Sequence, residues 1–305
     1  MNSRDDGQVI ERRRVYSLGV LDMLISIASG KGGTGKTTLA LILAAAHSQI
    51  TLVDCDVEEP NCHLFLKPEW QGEGQTISVT IPSIETQACN GCGDCSDVCL
   101  FNAIAISGGK ALLFDELCHS CGGCLLACKF EAISEVKKRI GTINAGIANT
   151  LPHVGLLSGT LDVGTPSGVP LVKALKEEAA KLSGDILLDC PPGTSCSMAT
   201  AVRNSDFCIL VTEPTPFGKH DLELAMNITR LLEIPTGVVI NKSDAAEGDQ
   251  TIEALCLSRN IPVLAKIPHS LSFAKQYASG LIPDDFQTIA ANVWLQLQAD
   301  RSADV

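Results

Sequence analysis

The chain has 305 residues, enough for one large domain or for two smaller ones with their own cores. Apolar residues make up 45% of it but are scattered, and no uninterrupted apolar run is long enough to span a bilayer. A net charge of −12 argues against a sequence-independent nucleic-acid surface, which needs clustered Lys and Arg to displace counterions.

The first stretch, "MNSRDDGQVIERRRVYSLGVLD", groups its arginines and lacks an apolar core followed by a small-residue cleavage site. It reads as a loose tail over 1–22, not as an export signal, and Met23, directly before the first strand, is an alternative start. Of fourteen cysteines, eight lie in C-x2-C runs. Without an export signal that usage points to metal rather than disulfides, and to a cytoplasmic protein.

"DMLISIASG" (22–30) is an apolar, β-branched run ending in glycine, and "KTTLALILAAAHS" (36–48) is rich in helix formers. Strand, glycine loop and helix therefore follow in order, and "QITLVDCD" (49–56) reads as the next buried strand. A right-handed βαβ crossover in a parallel sheet has this layout.

Residues 30–37, "GKGGTGKT", satisfy G-x-x-x-x-G-K-[ST]. Backbone N–H groups of Gly32, Gly33, Thr34 and Gly35 are expected to curl around phosphate oxygens, with Thr38 following in the helix. Lys36 supplies a point charge, and Thr37 can ligate Mg²⁺. Asp54 and Asp56 end the second strand two residues apart. After the later apolar strand "ILLDCPPG", Asp189 is suited to hold Mg²⁺ through water, and the Pro-Pro-Gly that follows fits a switch segment sensing the γ-phosphate.

An extra lysine, Lys31, stands directly after the first glycine. With it the string "KGGTGKTT" resembles the deviant Walker A loop of the MinD/ParA-type ATPases. The resemblance implies ATP and Mg²⁺ as ligands, and an ATP-dependent, face-to-face homodimer in which Lys31 reaches phosphates of the partner. It further implies that Asp56 positions metal and water, that Asp189 is the Walker B acid, and that Asn241 in "VVINK" reads adenine. The plainer alternatives are a solvated lysine, helix N-caps for the two aspartates and a turn-forming asparagine.

Between about Lys67 and Asn149 the long apolar strands give way to glycines, cysteines and short alternating runs, which reads as an insertion, with a two-cluster core at about 80–136. "CNGCGDCSDVC" (89–99) and "CHSCGGCLLAC" (118–128) form an internal repeat. Each is C-x2-C-x2-C-x3-C, the spacing of bacterial-type ferredoxins, so the insertion resembles a ferredoxin domain with two [4Fe–4S] clusters. The resemblance implies that the fourth cysteine of each run serves the other cluster. Cluster one is then held by Cys89, Cys92, Cys95 and Cys128, and cluster two by Cys118, Cys121, Cys124 and Cys99. The proline that usually follows the fourth cysteine is replaced by Leu100 and Lys129. Zinc, which C-x2-C pairs also bind, fits less well, because it needs four ligands in two pairs. Cys55, Cys62, Cys190, Cys208 and Cys256 read as small core residues. Cys196, seven residues after Asp189, falls where the related nitrogenase-type iron protein places a cluster ligand, but the second cysteine of such a site has no counterpart.

After the insertion the α/β rhythm resumes. Helices read at 170–182, in "HDLELAMNITRLLE", in "TIEALCLSRN" and in "DDFQTIAANVWLQLQA". Strands read in "DILLDCPPG", "SDFCILVTEPT", "TGVVINK" and "PVLAKIP". The expected fold is α/β, a doubly wound, mostly parallel sheet of the P-loop NTPase kind with an inserted, small ferredoxin-like α+β domain. The ATPase domain spans 23–66 and 150–298, the insertion 67–149, and a tail 299–305. The leading functional expectation is an ATPase whose nucleotide state gates two clusters for electron transfer to a redox or iron–sulfur protein partner, with no nucleic acid or membrane involved. A cluster-assembly carrier and a MinD-like positioning ATPase are the alternatives. The carrier's bridging C-x-x-C is missing, and "LQLQADRSADV" lacks the basic amphipathic helix that would seek anionic lipid.

Overall fold

The computed structural model describes residues 23–282 and 286–303. The tail expected over 1–22 lies outside the described residues. Strand β1 (Leu24–Ala28) is buried at every position, as a strand covered on both faces must be. It leads through the glycine loop into α1 (Lys36–Ala45), and β2 (Ile50–Asp54) follows. A short α2 (Cys62–Leu66) and β3 (Pro68–Trp70) come next.

The chain then leaves the body along β4 (Gln75–Ile84). It builds a small lobe from α3 (Asp94–Asp97), β5 (Ile104–Ser107), β6 (Lys110–Leu113) and α4 (Gly123–Ala127), and returns along β7 (Ile133–Ala148). Strand and helix alternate from there: β8 (Val154–Leu161), α5 (Val169–Ala179), β9 (Asp185–Asp189), α6 (Cys196–Val202) and β10 (Phe207–Thr212). Then come α7 (Pro216–Leu231), β11 (Thr236–Ser243), α8 (Glu247–Ser258), β12 (Val263–Pro268), α9 (Leu271–Ala278) and α10 (Gln287–Ala303). The closing helix thus continues past residue 298, where the sequence reading ends the ATPase domain.

The main sheet runs in the order β12-β11-β10-β1-β9-β2-β8-β7-β3, parallel from β12 to β8 and antiparallel where β7 meets β8 and β3. Helices α1, α2 and α10 cover one face, with Leu39, Leu43, Phe65 and Trp294 in its core. The other face is packed by α5 to α8 through Leu171, Leu175, Met198, Leu222 and Ile252.

The insertion is attached through the sheet itself. β7 pairs with β8 over Gly141–Ile147 and with β4 over Ile133–Ile143, so one strand belongs to the body at its end and to the insertion at its start. Its burial changes accordingly, from mostly exposed up to Arg139 to mostly buried beyond it. At the tip of this ribbon β5 and β6 form a two-stranded antiparallel sheet around a minor core of Cys95, Ile104, Ala111 and Cys124. Among the described residues no helix is long and apolar enough to cross a membrane.

Candidate functional site

The glycine loop lies at the carboxyl end of β1, where ligands of open α/β sheets bind. Gly35 takes a left-handed conformation at φ +96°, and a Cβ there would collide with the side-chain amide of Asn241. α1 starts directly behind it with no side-chain cap and no acidic residue in its first turn. Its first N–H groups and the positive end of its dipole are therefore available to an anion.

Thr37 donates its hydroxyl to Asp189 Oδ2 at 2.6 Å. Asp189 ends β9 and stands in register with Asp54 at the end of the neighbouring β2. Two buried carboxylates side by side resist joint ionisation, and Asp54 is pushed up to about 7, by burial first and then by the Asp189 charge. Asp189 is also raised, chiefly by burial. Its Oδ1 is buried without a hydrogen-bond partner, an orphan that a hydrated cation would satisfy.

Asp54 is occupied by the backbone. It accepts N–H bonds from Asn61 and Cys62, each at 3.0 Å, and from Asp56 at 3.3 Å, and so folds the β2–α2 loop around itself. The Cys62 thiol lies 3.6 Å from Asp189 Oδ2. Ligand atoms of Asp54, Cys62 and Asp189 all fall within 4.8 Å of one another. Cys62, a core residue by sequence, is thus also a neighbour of the Asp189 carboxylate. Asp56 is half-buried, and burial followed by the Asp189 charge raises it to about 6.

A cavity of about 430 Å³ opens above these groups. Of the nucleotide residues named from sequence, Gly32, Gly33, Gly35, Lys36, Thr37, Thr38, Asp56 and Asn241 line it. Thr34, Lys31 and Asp189 do not. Thr34 is buried, and its carbonyl accepts the Asn241 amide at 2.7 Å. Asn241 therefore ties β11 to the glycine loop, while its Oδ1 accepts from Lys242 N at 2.9 Å. Lys31 turns aside to Glu213 at 3.0 Å, and Lys242 takes the other oxygen of the same carboxylate. Burial alone would raise Glu213, but hydrogen bonds from Lys242 and Lys31 outweigh it and hold the carboxyl below its ordinary value.

The far wall of the cavity comes from α9 and its approach: His269, Phe273 and Tyr277. The sequence reading passed over this helix. Its signals were Ser270, an N-cap that accepts from Phe273 N at 3.2 Å, and two aromatic residues one helical turn apart. Burial pushes the Tyr277 phenol up, and a hydrogen bond with Thr38 pulls it down.

In the insertion two further cavities are each lined by four cysteines. One takes Cys89, Cys92, Cys95 and Cys128; the other takes Cys99, Cys118, Cys121 and Cys124. Each quartet draws three residues from one run and the fourth from the other. Backbone N–H groups point at sulfur: Ala111 to Cys89 at 3.4 Å, Ala103 to Cys99 at 3.3 Å, and Ser120 to Cys118 at 3.4 Å. The bonds from Ala111 and Gly91 lower Cys89 below its ordinary thiol range. Gly91, Gly93 and Gly122 have positive φ, which lets the loops between cysteines turn tightly. All fourteen cysteines are free; Cys55, Cys62, Cys190, Cys208 and Cys256 are buried, and Cys196 is exposed at the start of α6.

The model of the CobQ/CobB/MinD/ParA nucleotide binding domain matches residues 25–283. Two uncharacterized proteins of Methanocaldococcus jannaschii are similar. One is 33% identical over 229 residues, 74% of this chain and 79% of its own; the other is 29% identical over 224 residues, 72% and 80%. Among solved structures, the septum site-determining protein MinD complexed with Mg-ADP from Pyrococcus horikoshii superposes with a TM-score of 0.56 at 19% identity. That match covers 93% of this chain and 98% of the other. The likeness shows a shared fold, the α/β P-loop NTPase fold of MinD.

Proposed function

Because the chain belongs to the CobQ/CobB/MinD/ParA nucleotide-binding family, we propose that it is a Mg²⁺-dependent ATPase in which nucleotide-driven dimerisation gates two [4Fe–4S] clusters in the insertion for electron transfer to a redox partner. The observation that carries the iron–sulfur half is the pair of cysteine quartets. Two cavities, each walled by four cysteines exchanged between the runs, match the ligand arithmetic of two cubane clusters. The N–H bonds from Ala111 and Gly91 favour thiolate over thiol at Cys89, as a cluster ligand requires.

Cys89, Cys92, Cys95 and Cys128 would hold one cluster, and Cys118, Cys121, Cys124 and Cys99 the other. A bound cluster supplies one-electron chemistry. The chain's own work is to seat, shield and move the quartets.

On the nucleotide side, the glycine loop and the start of α1 receive the phosphates, and Lys36 adds charge. Thr37 and Asp189 hold Mg²⁺ and its water. Asp56, exposed to the cavity, orients the attacking water. Lys31 leaves Glu213 and reaches into the second subunit when two chains meet. Mg-ADP in the Pyrococcus MinD structure supports the choice of nucleotide.

The test is anaerobic purification followed by iron and sulfide analysis and by sedimentation with and without ATP. The reading expects about eight irons per chain and an ATP-dependent dimer. Stoichiometric zinc in colourless protein overturns the iron–sulfur half, and a monomer under ATP and Mg²⁺ overturns the gating half.

A further inference from the structure

A second large cavity, about 770 Å³, lies between the insertion and the nucleotide-binding body; it shares no residue with the nucleotide cavity but adjoins the cavity of the second quartet, sharing Thr80, Ile81, Phe101 and the loop from Cys118 to Cys121 with it. One wall is the loop from Cys118 to Cys121, beside Thr80 on β4. The opposite wall is the approach to α5, with Lys173 on its first turns, and Cys196 at the start of α6. We propose that this groove binds a small organic anion, and that its affinity is linked to the nucleotide state.

Size and lining set the ligand class. The volume falls in the range of small-molecule sites, roughly 300–1,000 Å³. Val79, Ile140, Val169 and Pro166 offer apolar surface to an organic body, while Ser78, Thr80 and Ser120 offer hydroxyls to its polar edge. Charge decides the sign. Lys138 is neutralised by Asp115 at 2.9 Å, whereas no described residue pairs with Lys173. Lys173, exposed on the groove's rim, is the one charged lining residue without a described partner, and it stands across from Cys118 and Cys121, which the proposed function gives to a cluster.

The link to nucleotide lies in one short segment. Asp189 accepts the Thr37 hydroxyl, Pro192 lines the nucleotide cavity, Gly193 N donates to Ser29 O at 3.1 Å, and Cys196 lines the groove. A shift of this segment on phosphate binding moves the groove wall. By reciprocity the anion then shifts nucleotide affinity by the same factor, typically about 5- to 150-fold.

Equilibrium dialysis of the anaerobic, full-length protein with anthraquinone-2-sulfonate, an aromatic monoanion, tests this. One saturable site is expected, weakened at least about fivefold by Lys173→Glu and, through loss of volume, by Cys196→Trp. Lys173→Glu should bind ADP as the wild type does without the probe, and both variants should keep the wild-type far-ultraviolet circular dichroism, which shows that they fold. Added ADP should change probe affinity by a factor of about five or more. Absence of saturable binding, or equal binding by both variants and wild type, overturns the site; affinity indifferent to ADP overturns the linkage. Iron analysis of the same samples separates this proposal from the cluster reading. Full iron without probe binding sinks the groove alone, and probe binding without iron sinks the clusters alone.

Discussion

Lys31 and Glu213 are paired within one chain, ammonium to carboxylate at 3.0 Å, and the second oxygen of Glu213 holds Lys242. Lys242 in turn donates to Gly33 O at 3.3 Å, so Glu213 fastens the outer rim of the glycine loop from both sides. A lysine meant for a neighbouring subunit must first leave this pair. Because Lys31 is partly exposed, the pair contributes about 1 kcal/mol or less. Glu213→Gln should therefore fold normally and dimerise at lower ATP concentration than wild type. Lys31→Ala should abolish ATP-dependent dimerisation while keeping most nucleotide binding, and Lys36→Ala should weaken nucleotide binding itself. Sedimentation velocity across an ATP titration reads all three, and a Glu213→Gln curve coincident with wild type would discard the latch.

The crossed quartets make a second prediction. Cys128 lines the cavity of the first run and Cys99 that of the second. Cys128→Ser should disturb the cluster seated on Cys89, Cys92 and Cys95, and Cys99→Ser the one on Cys118, Cys121 and Cys124. The two losses should differ in the paramagnetic spectrum of the reduced protein. Identical spectra for the two variants, each short of the same cluster, would mean that the exchange of ligands is wrong.

The nucleotide half was legible wherever chemistry sits at fixed spacing. "GKGGTGKTT" and the aspartate that ends "ILLD" pick out the loop, Thr37 and Asp189, because a phosphate cradle tolerates few other strings. What escaped depends on packing. "VGLLSGTL" is strand β8, buried between β2 and β7, yet its glycines and serine blur the apolar run that marks a strand. α9 escaped because it is half exposed and short. The cysteine-bearing lobe showed in its composition, but its mode of attachment did not. A strand shared between body and insertion, as β7 is, crosses the boundary without turning, so even Gly141 and Asn144 within it mark no break.

Asn241 carries a third prediction. Its buried amide donates to Thr34 O, and its position against Gly35 leaves no room for a Cβ there. Asn241→Ala leaves a buried carbonyl without its donor, a cost of about 1–3 kcal/mol. It should lower thermal stability and loosen the glycine loop, so that ADP affinity falls about tenfold or more, as a shift of about 1.4 kcal/mol requires. Calorimetric titration with Mg·ADP reads the affinity. Unchanged affinity in a folded variant would show that the loop holds its shape without this tether.

Asp54 gives the stability a pH dependence whose sign can be worked out. Burial, with the Asp189 charge as the second cause, raises its carboxyl from 3.8 to about 7. The folded chain then binds this proton more tightly than the unfolded chain does. Wherever the folded state holds more protons, stability falls as pH rises. The contribution is therefore fully present below about 4, is lost progressively as pH climbs towards 7, and is flat beyond. Asp56, raised to about 6, acts in the same direction over a narrower window. Mg²⁺ favours the ionised carboxylates and opposes the trend, so the stabilisation gained from Mg·ADP should grow between pH 6 and 8. Asp54→Asn removes the titrating group and keeps an oxygen for the N–H groups of Asn61 and Cys62. Any constant offset from the new amide cancels when only the slope is compared. Thermal melts of nucleotide-free, Mg²⁺-free protein from pH 5 to 8 should show the variant gaining on wild type as pH rises. Parallel curves would mean that Asp54 is ionised throughout, and that the two buried carboxylates are stabilised by a group other than a shared proton.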